Sequence, residues 1–398
     1  EEEANDDVHI IPDDEEVQTK SPESDLLSWH YRLGHVAFEK IRRMSSRGDL
    51  PAAMRNCRVP KCAACMFAKA RRRAWRSKAP VNKVKTPPVT APGSVVAIDQ
   101  MISALPGFIA QMRGFITGKR YKVITVFVNQ FSGLSFVYTQ KSTTAEETVK
   151  AKEAFERYAK THGVTVRHYH ADNGIFAEAE FIRAIENNGQ TISFCGVNAH
   201  HMNGHAEKRI RDLQENARAM LLHAKRRWPS AVSAHLWPYA VRMANEVHNF
   251  APSIKEGISP IEMFSQVQVS PRIKYCHTFG CPVYVLDGKL QVGKTVPKWD
   301  DRARIGLFLG FSPRHGRKVA LVLNLTTGHV SPQFHVVFDD LFDTLRPSSG
   351  NAIPKSLWQQ KAGFVLDDGT PVLPKKNNKK TKATNKATDA QDDVPGEL

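Results

Sequence analysis

Between residues 93 and about 250 the apolar pattern changes period in a fixed order, and that order restricts the fold more than any other feature. A short apolar run, Val95 to Ile98, and two alternating runs at 121–129 and 134–139 read as three strands. Thr143 followed by Glu146 forms a capping box, and Val149, Phe155, Tyr158 and Ala159 then recur at helical spacing until Gly163 ends the helix. A fourth strand, Val164 to His170, a short helix near 177–187, an apolar stretch from Thr191 to Cys195 and two longer helices follow. The order β, β, β, α, β, α, β, then helices, is that of a mixed α/β domain. It cannot account for all 398 residues, because a single core seldom grows beyond ~250 to 300 residues, so a multidomain chain is expected.

Within this pattern three acids fall at element ends. Asp99 closes the run Val95 to Ile98, and Asp172 stands just past the run ending at His170. From Gly204 onward, Ala206, Ile210, Leu213, Ala217, Met220, Leu221 and Ala224 make one apolar helix face, leaving Glu207, Arg211, Gln214 and Arg218 on a polar stripe beside it. Single acids mean little, since most are solvated surface groups. Hard carboxylate oxygens gathered at one point bind Mg²⁺, which keeps waters and accepts phosphate oxygens, and two such ions serve in-line displacement at phosphorus.

A second constellation precedes the α/β region. His30 and His35 flank four residues, and Cys62 and Cys65 flank two, a donor set that suits tetrahedral Zn²⁺. In so short a segment, residues 25–70, metal would replace a hydrophobic core, so binding and folding should be one event. Cys57 could compete for the ion or sit in the core; the two-residue spacer favours the Cys62/Cys65 pair.

Beyond about residue 271 the texture becomes short strands rich in Val, Phe and Leu punctuated by glycines, read as a small β-barrel over 271–345. Residues 1–24 form an acidic lead and 346–398 a lysine-rich tail, both expected to lack a fold, and 71–92 a basic linker. Residues 1–25 carry eleven acids against Lys20, so the rest of a chain with net charge +16 carries +26. Such an excess favours a nucleic acid partner. No apolar run approaches the roughly 20 residues of a membrane helix. With no secretory signal before them, the six cysteines read as reduced thiols or metal ligands. Lys208 and Arg211 beside Glu207 could clamp phosphate, or Arg211 could pair with Glu207 as an ordinary surface bridge. Asn203 and His201 could contact DNA or cap the helix start.

Four strings in this order, Trp29-His30-Tyr31-Arg32-Leu33-Gly34-His35, Val96-Ala97-Ile98-Asp99-Gln100-Met101, Ala171-Asp172-Asn173-Gly174 and Asn203-Gly204-His205-Ala206-Glu207-Lys208-Arg209, resemble the copia-type LTR retrotransposon integrase. Phe279-Gly280-Cys281-Pro282-Val283-Tyr284 and Arg304-Ile305-Gly306-Leu307-Phe308-Leu309-Gly310-Phe311 look like that family's C-terminal module. The resemblance covers roughly 26–345. It implies an RNase H-like catalytic core over 93–255, a pre-integrase zinc module before it and an SH3-like barrel after it. It also implies Asp99, Asp172 and Glu207 as ligands of two Mg²⁺ or Mn²⁺ ions, and one structural zinc on His30, His35, Cys62 and Cys65. The expected activity is 3′-end processing and strand transfer of element DNA into target DNA by a homo-oligomer, with the lysine-rich tail as a nuclear address read by import factors. The rivals are a non-catalytic DNA-binding or assembly protein and a metal nuclease that cuts without joining. Two departures stand out: 34 residues separate Asp172 from Glu207, one fewer than is usual, and Ile175 and Phe176 replace a glycine and an acid.

Overall fold

A computed structural model describes residues 21–72, 89–109, 120–196, 203–253, 257–269, 273–316, 318–346, 355–366 and 370–372. The chain begins with helices α1 (Pro22–Arg32), α2 (Phe38–Ser46) and α3 (Ala63–Ala68). Helix α1 starts inside the segment expected to be an unfolded lead. Ser21 and Ser24 close a reciprocal capping box and Pro22 supplies a preset first turn, so two orphan amides are satisfied before the acidic run can keep the chain open.

The α/β unit holds strands β1 (Val96–Gly107), β2 (Tyr121–Asn129), β3 (Ser135–Gln140), β4 (His168–Ala171) and β5 (Thr191–Phe194). Between and after them run α4 (Ala145–Thr161), α5 (Ala179–Glu186), α6 (Gly204–Arg227), α7 (Trp237–Phe250) and α8 (Pro260–Ser265). The sheet order is β3-β2-β1-β4-β5. The first three strands pair antiparallel and the β1–β4 and β4–β5 pairs are parallel, because helices α4 and α5 carry the chain back across the sheet. This is the RNase H-like topology. The cap of α4 sits one residue later than expected: Thr144 accepts from the Glu147 amide, and Thr143 takes no part in it.

Strands β6 (Pro282–Leu286), β7 (Ala303–Phe311), β8 (Ala320–Leu323), β9 (Val330–Gln333) and β10 (Val336–Phe338) form a second sheet, with a short α9 (Gly288–Gln291) after β6. Its order, β10-β6-β7-β8-β9, is a four-strand meander whose fifth strand returns beside the first. The expected foldless tail is corrected in part. Residues 355–366 include α10 (Trp358–Lys361), and Trp358 is fully buried, its indole N–H donating to the Ala231 carbonyl at 2.7 Å. An indole with a satisfied N–H and rings of Phe108 and Phe364 around it gains more by burial than this short segment loses by ordering.

One face of the first sheet packs on α4 and α5 through Phe127, Phe155, Tyr169 and Phe181. The other face packs on α6 and α7, and that apolar cluster continues without interruption into the helical module (Leu26, Ile41, Met44) and the second sheet (Val283, Leu307, Val322). Helix α6 is the shared wall. Its buried residues Ala206, Leu213, Ala217, Met220 and Ala224 are five of the seven apolar positions expected to make its buried face; Ile210 and Leu221 are half-buried.

Candidate active site and metal centre

The parallel register Ile98↔Ala171 sets Asp99 and Asp172 at the same level on neighbouring strands, Asp99 still inside β1 and Asp172 one step past β4. Both are half-buried, and each takes a hydrogen bond from the amide that follows it, Gln100 at 2.7 Å and Asn173 at 2.8 Å. Asn173 in turn donates its side-chain amide to the Cys195 carbonyl at 3.1 Å, fixing the turn after β4 to the end of β5.

Glu207, in the first turn of α6, is also half-buried. The helix start is held against β1 by Asn203, whose side-chain amide donates to the Ile98 carbonyl at 2.9 Å, one residue before Asp99. Asn203 is 2% exposed and makes no side-chain cap. It is therefore not the helix cap that its sequence position suggested; its side-chain N–H is committed to the strand, and it positions the helix. His201 lies outside the described residues.

The three carboxylates share one electrostatic environment. The Cys195 thiol, buried at the end of β5, is pushed up first by burial and then by the negative charges of Asp172, Glu207 and Asp99. A site in which three acids act together on one neighbouring thiol suits added positive charge. The donors are hard oxygens, the type that Mg²⁺ takes. Lys208 and Arg211 are exposed beside Glu207, and among the described residues no ion pair joins Glu207 to Arg211.

The histidine–cysteine cluster is drawn much tighter. One ligand atom from each of His30, His35, Cys62 and Cys65 lies within 4.8 Å of all the others, the only group of three or more His, Cys, Asp or Glu residues to do so among the described residues. The three carboxylates do not close to that spacing. His30 Nδ1 is 2.8 Å from the Val36 carbonyl, so it donates there and leaves Nε2 facing Cys65 Sγ at 3.2 Å. His35 Nδ1 stands 3.5 Å from both sulfurs. This orientation needs a sharp reversal: Gly34 and His35 both have positive φ, +62° and +61°, and a Cβ at Gly34 would come to 3.0 Å of Met220 Sδ on α6. A hydrogen bond with Cys65 and burial push the Cys62 thiol well above its usual range. Two such thiols beside each other ionise together only around a cation, so the donor set suits a metal and its N₂S₂ chemistry suits zinc. Cys57 stays outside, its sulfur turned to the Met54 and Pro22 carbonyls.

Residues 11–70 match the GAG-pre-integrase domain. The chain is 26% identical over 361 residues to the "Retrovirus-related Pol polyprotein from transposon RE1" of Arabidopsis thaliana, covering 87% of this chain and 22% of that protein. It is 23% identical to the corresponding RE2 polyprotein, over 79% of this chain and 19% of the relative. It thus spans about a fifth of the length of these relatives. Among solved structures it is similar to the HTLV-2 integrase catalytic core domain in complex with magnesium (18% identity, TM-score 0.31, 44% of this chain and 97% of that one). It is also similar to a simian T-cell lymphotropic virus intasome chain (16% identity, TM-score 0.35, 69% and 86%). At these scores the strand order carries the fold assignment. The pre-integrase match and the Pol polyprotein matches over most of the chain together support its assignment as a copia-like integrase region.

Proposed function

We propose that this chain is a retrotransposon integrase, a DDE-type polynucleotidyl transferase that trims the 3′ ends of element DNA and joins them to target DNA. The observation that carries the reading is the β1–β4 register, which sets Asp99 and Asp172 side by side while Asn203 holds the helix of Glu207 against the same strand. Asp99, Asp172 and Glu207 are the residues that would hold two Mg²⁺ or Mn²⁺ ions. Bound there, the ions would activate an attacking oxygen and stabilise the leaving one in an in-line displacement.

The chain's own contribution is positional. Strands β1 and β4 fix two carboxylates on a rigid sheet, and α6 presents the third from a helix walled in by the core. Lys208 and Arg211 lie one and four residues beyond Glu207, exposed, where they would take the phosphates flanking the scissile bond. His30, His35, Cys62 and Cys65 would hold one structural zinc, and the second sheet would contact DNA or a sister subunit. The working form would be a homo-oligomer holding two DNA ends, acting in the nucleus after assembly in cytoplasmic particles. The motive for the nuclear reading is the lysine run 375–386, which lies outside the described residues; a fluorescent fusion cut after residue 372 that still enters nuclei would remove it.

Strand joining with labelled element ends, a target plasmid and Mg²⁺ or Mn²⁺ tests the activity, comparing the natural chain with Glu207→Gln. Joined product lost in the variant is the expected result. Cut but unjoined strands would indicate a nuclease, and binding without either product a non-catalytic DNA-binding protein.

A further inference from the structure

The helical module and the α/β unit meet at a buried hydrogen bond that neither constellation requires by its own motif. His223, in the last two turns of α6, is 1% exposed, and its Nδ1 lies 3.1 Å from His35 Nε2. His35 points its other nitrogen, Nδ1, at Cys62, Cys65 and His30. If Nδ1 is to face an ion with its lone pair, the ring proton must sit on Nε2, and the atom there to accept it is His223 Nδ1. Two neutral rings are needed for that arrangement.

The His223 ring is itself fixed. It lies 4.0 Å from the Tyr31 ring and 5.9 Å from that of Phe342, so it cannot swing away without opening the core. The surrounding contacts fasten the module to the same helix: Arg218 donates to the Ala68 carbonyl at 3.0 Å, and Arg71 makes a two-pronged contact with Glu215 at 2.8 Å on each arm. The Arg226 guanidinium covers the Phe67 ring at 4.4 Å. His223 stands sixteen residues beyond Glu207 on one continuous helix, about 24 Å along its axis at 1.5 Å per residue.

We propose that His223 is a positioning residue for the module's metal, holding the His35 ring by its Nε2–H so that Nδ1 faces the ion, and that this bond ties metal loading to the helix carrying Glu207. The proposal rests on the zinc reading of the module. It adds a metal-orienting residue contributed by the α/β unit, beyond the residues 11–70 that match the pre-integrase family.

The test is competition for zinc between the full chain and a chromophoric chelator. His223→Phe keeps a planar ring and removes the acceptor; zinc affinity should fall about 10- to 100-fold, the usual cost of losing such an outer partner. His223→Asn places Oδ1 near the position of Nδ1 and should recover affinity to within a few-fold of the natural chain. Equal affinity in the natural chain and the Phe variant would overturn the proposal, as would an Asn variant no better than Phe, since packing alone would then explain the residue. A measurement needing no variant is hydrogen exchange. Stripping zinc from the natural chain should speed exchange of α6 amides around 213–224 more than those of α4, and unchanged α6 protection would overturn the coupling. A natural chain that folds without zinc by elemental analysis would instead overturn the zinc reading, and the proposal with it.

Discussion

The two candidate metal sites differ in who brings the ligands together. In the helical module the protein does all of it: four donors converge within 4.8 Å, two consecutive residues, Gly34 and His35, sit in a left-handed conformation, and no ligand position is left for a substrate. In the α/β unit the strands set two acids level and a helix brings the third near, but the carboxylates stop short of such closure. The difference is the one expected between a structural and a catalytic centre. Soft thiolates and imidazoles make a complete tetrahedral shell that substitutes for a core. Hard carboxylates supply only part of an octahedral shell and leave the remainder to water and phosphate oxygens.

The contrast can be broken most sharply at the acids. Asp99→Asn or Glu207→Gln should lower strand joining by about a thousandfold or more while leaving the melting temperature within a few degrees, because loss of a ligand charge removes transition-state stabilisation and little packing. A large fall in stability would show that the acids are structural after all. Cys62→Ser with Cys65→Ser should do the opposite: zinc content drops towards zero and the module loses its fold, read by calorimetry and proteolysis of residues 21–72. The same asymmetry is expected of metal removal, with zinc chelation lowering the melting temperature and Mg²⁺ withdrawal stopping only the reaction.

Asn203→Ala tests the hinge between the two descriptions. Loss of its bond to the Ile98 carbonyl should cost about 1 kcal/mol of stability by chemical denaturation and reduce joining as well, since Glu207 is four residues on. Stability lost with full activity would mean that α6 needs no such anchor. Removing the charges of Lys208 and Arg211 together should weaken DNA binding uniformly and reduce the slope of log K against log salt by about two. The smallest effect is a pH dependence. Burial, with Arg209 and Lys40 nearby, holds His248 well below its ordinary 6.5, and its ring accepts from Arg209 and donates to the Gly133 carbonyl. The unfolded chain takes up this proton first, so stability is fully present above pH 6.5 and declines as pH falls from there; His248→Gln should flatten that decline in denaturant titrations.

Much of this was legible in the residues. The strand and helix order followed from apolar periodicity, and five of the seven positions assigned to the buried face of α6 are buried because a long helix repeats its signal. The clustering of His30, His35, Cys62 and Cys65 was readable because both pairs are local. What escaped was set by distance along the chain. Asn203 looked like a groove contact because its neighbours are polar, and only the approach of β1, 105 residues away, shows that its amide is buried. His223 sits on the helix's core side with no motif around it, and its partner lies 188 residues earlier. The buried Trp358 was assigned to an unfolded tail because the lysine-rich composition around it masks a single aromatic anchor.

That indole also determines how the chain can be shortened. A fragment stopping at residue 345, where the last strand pattern ends, would lack both Trp358 and Phe364, leaving the Ala231 carbonyl without its donor and Phe108 facing an aromatic-sized hollow. Such a fragment would keep every residue of both metal sites and still present a sticky apolar mouth to its neighbours, so its self-association would say nothing about the assembly of the intact protein.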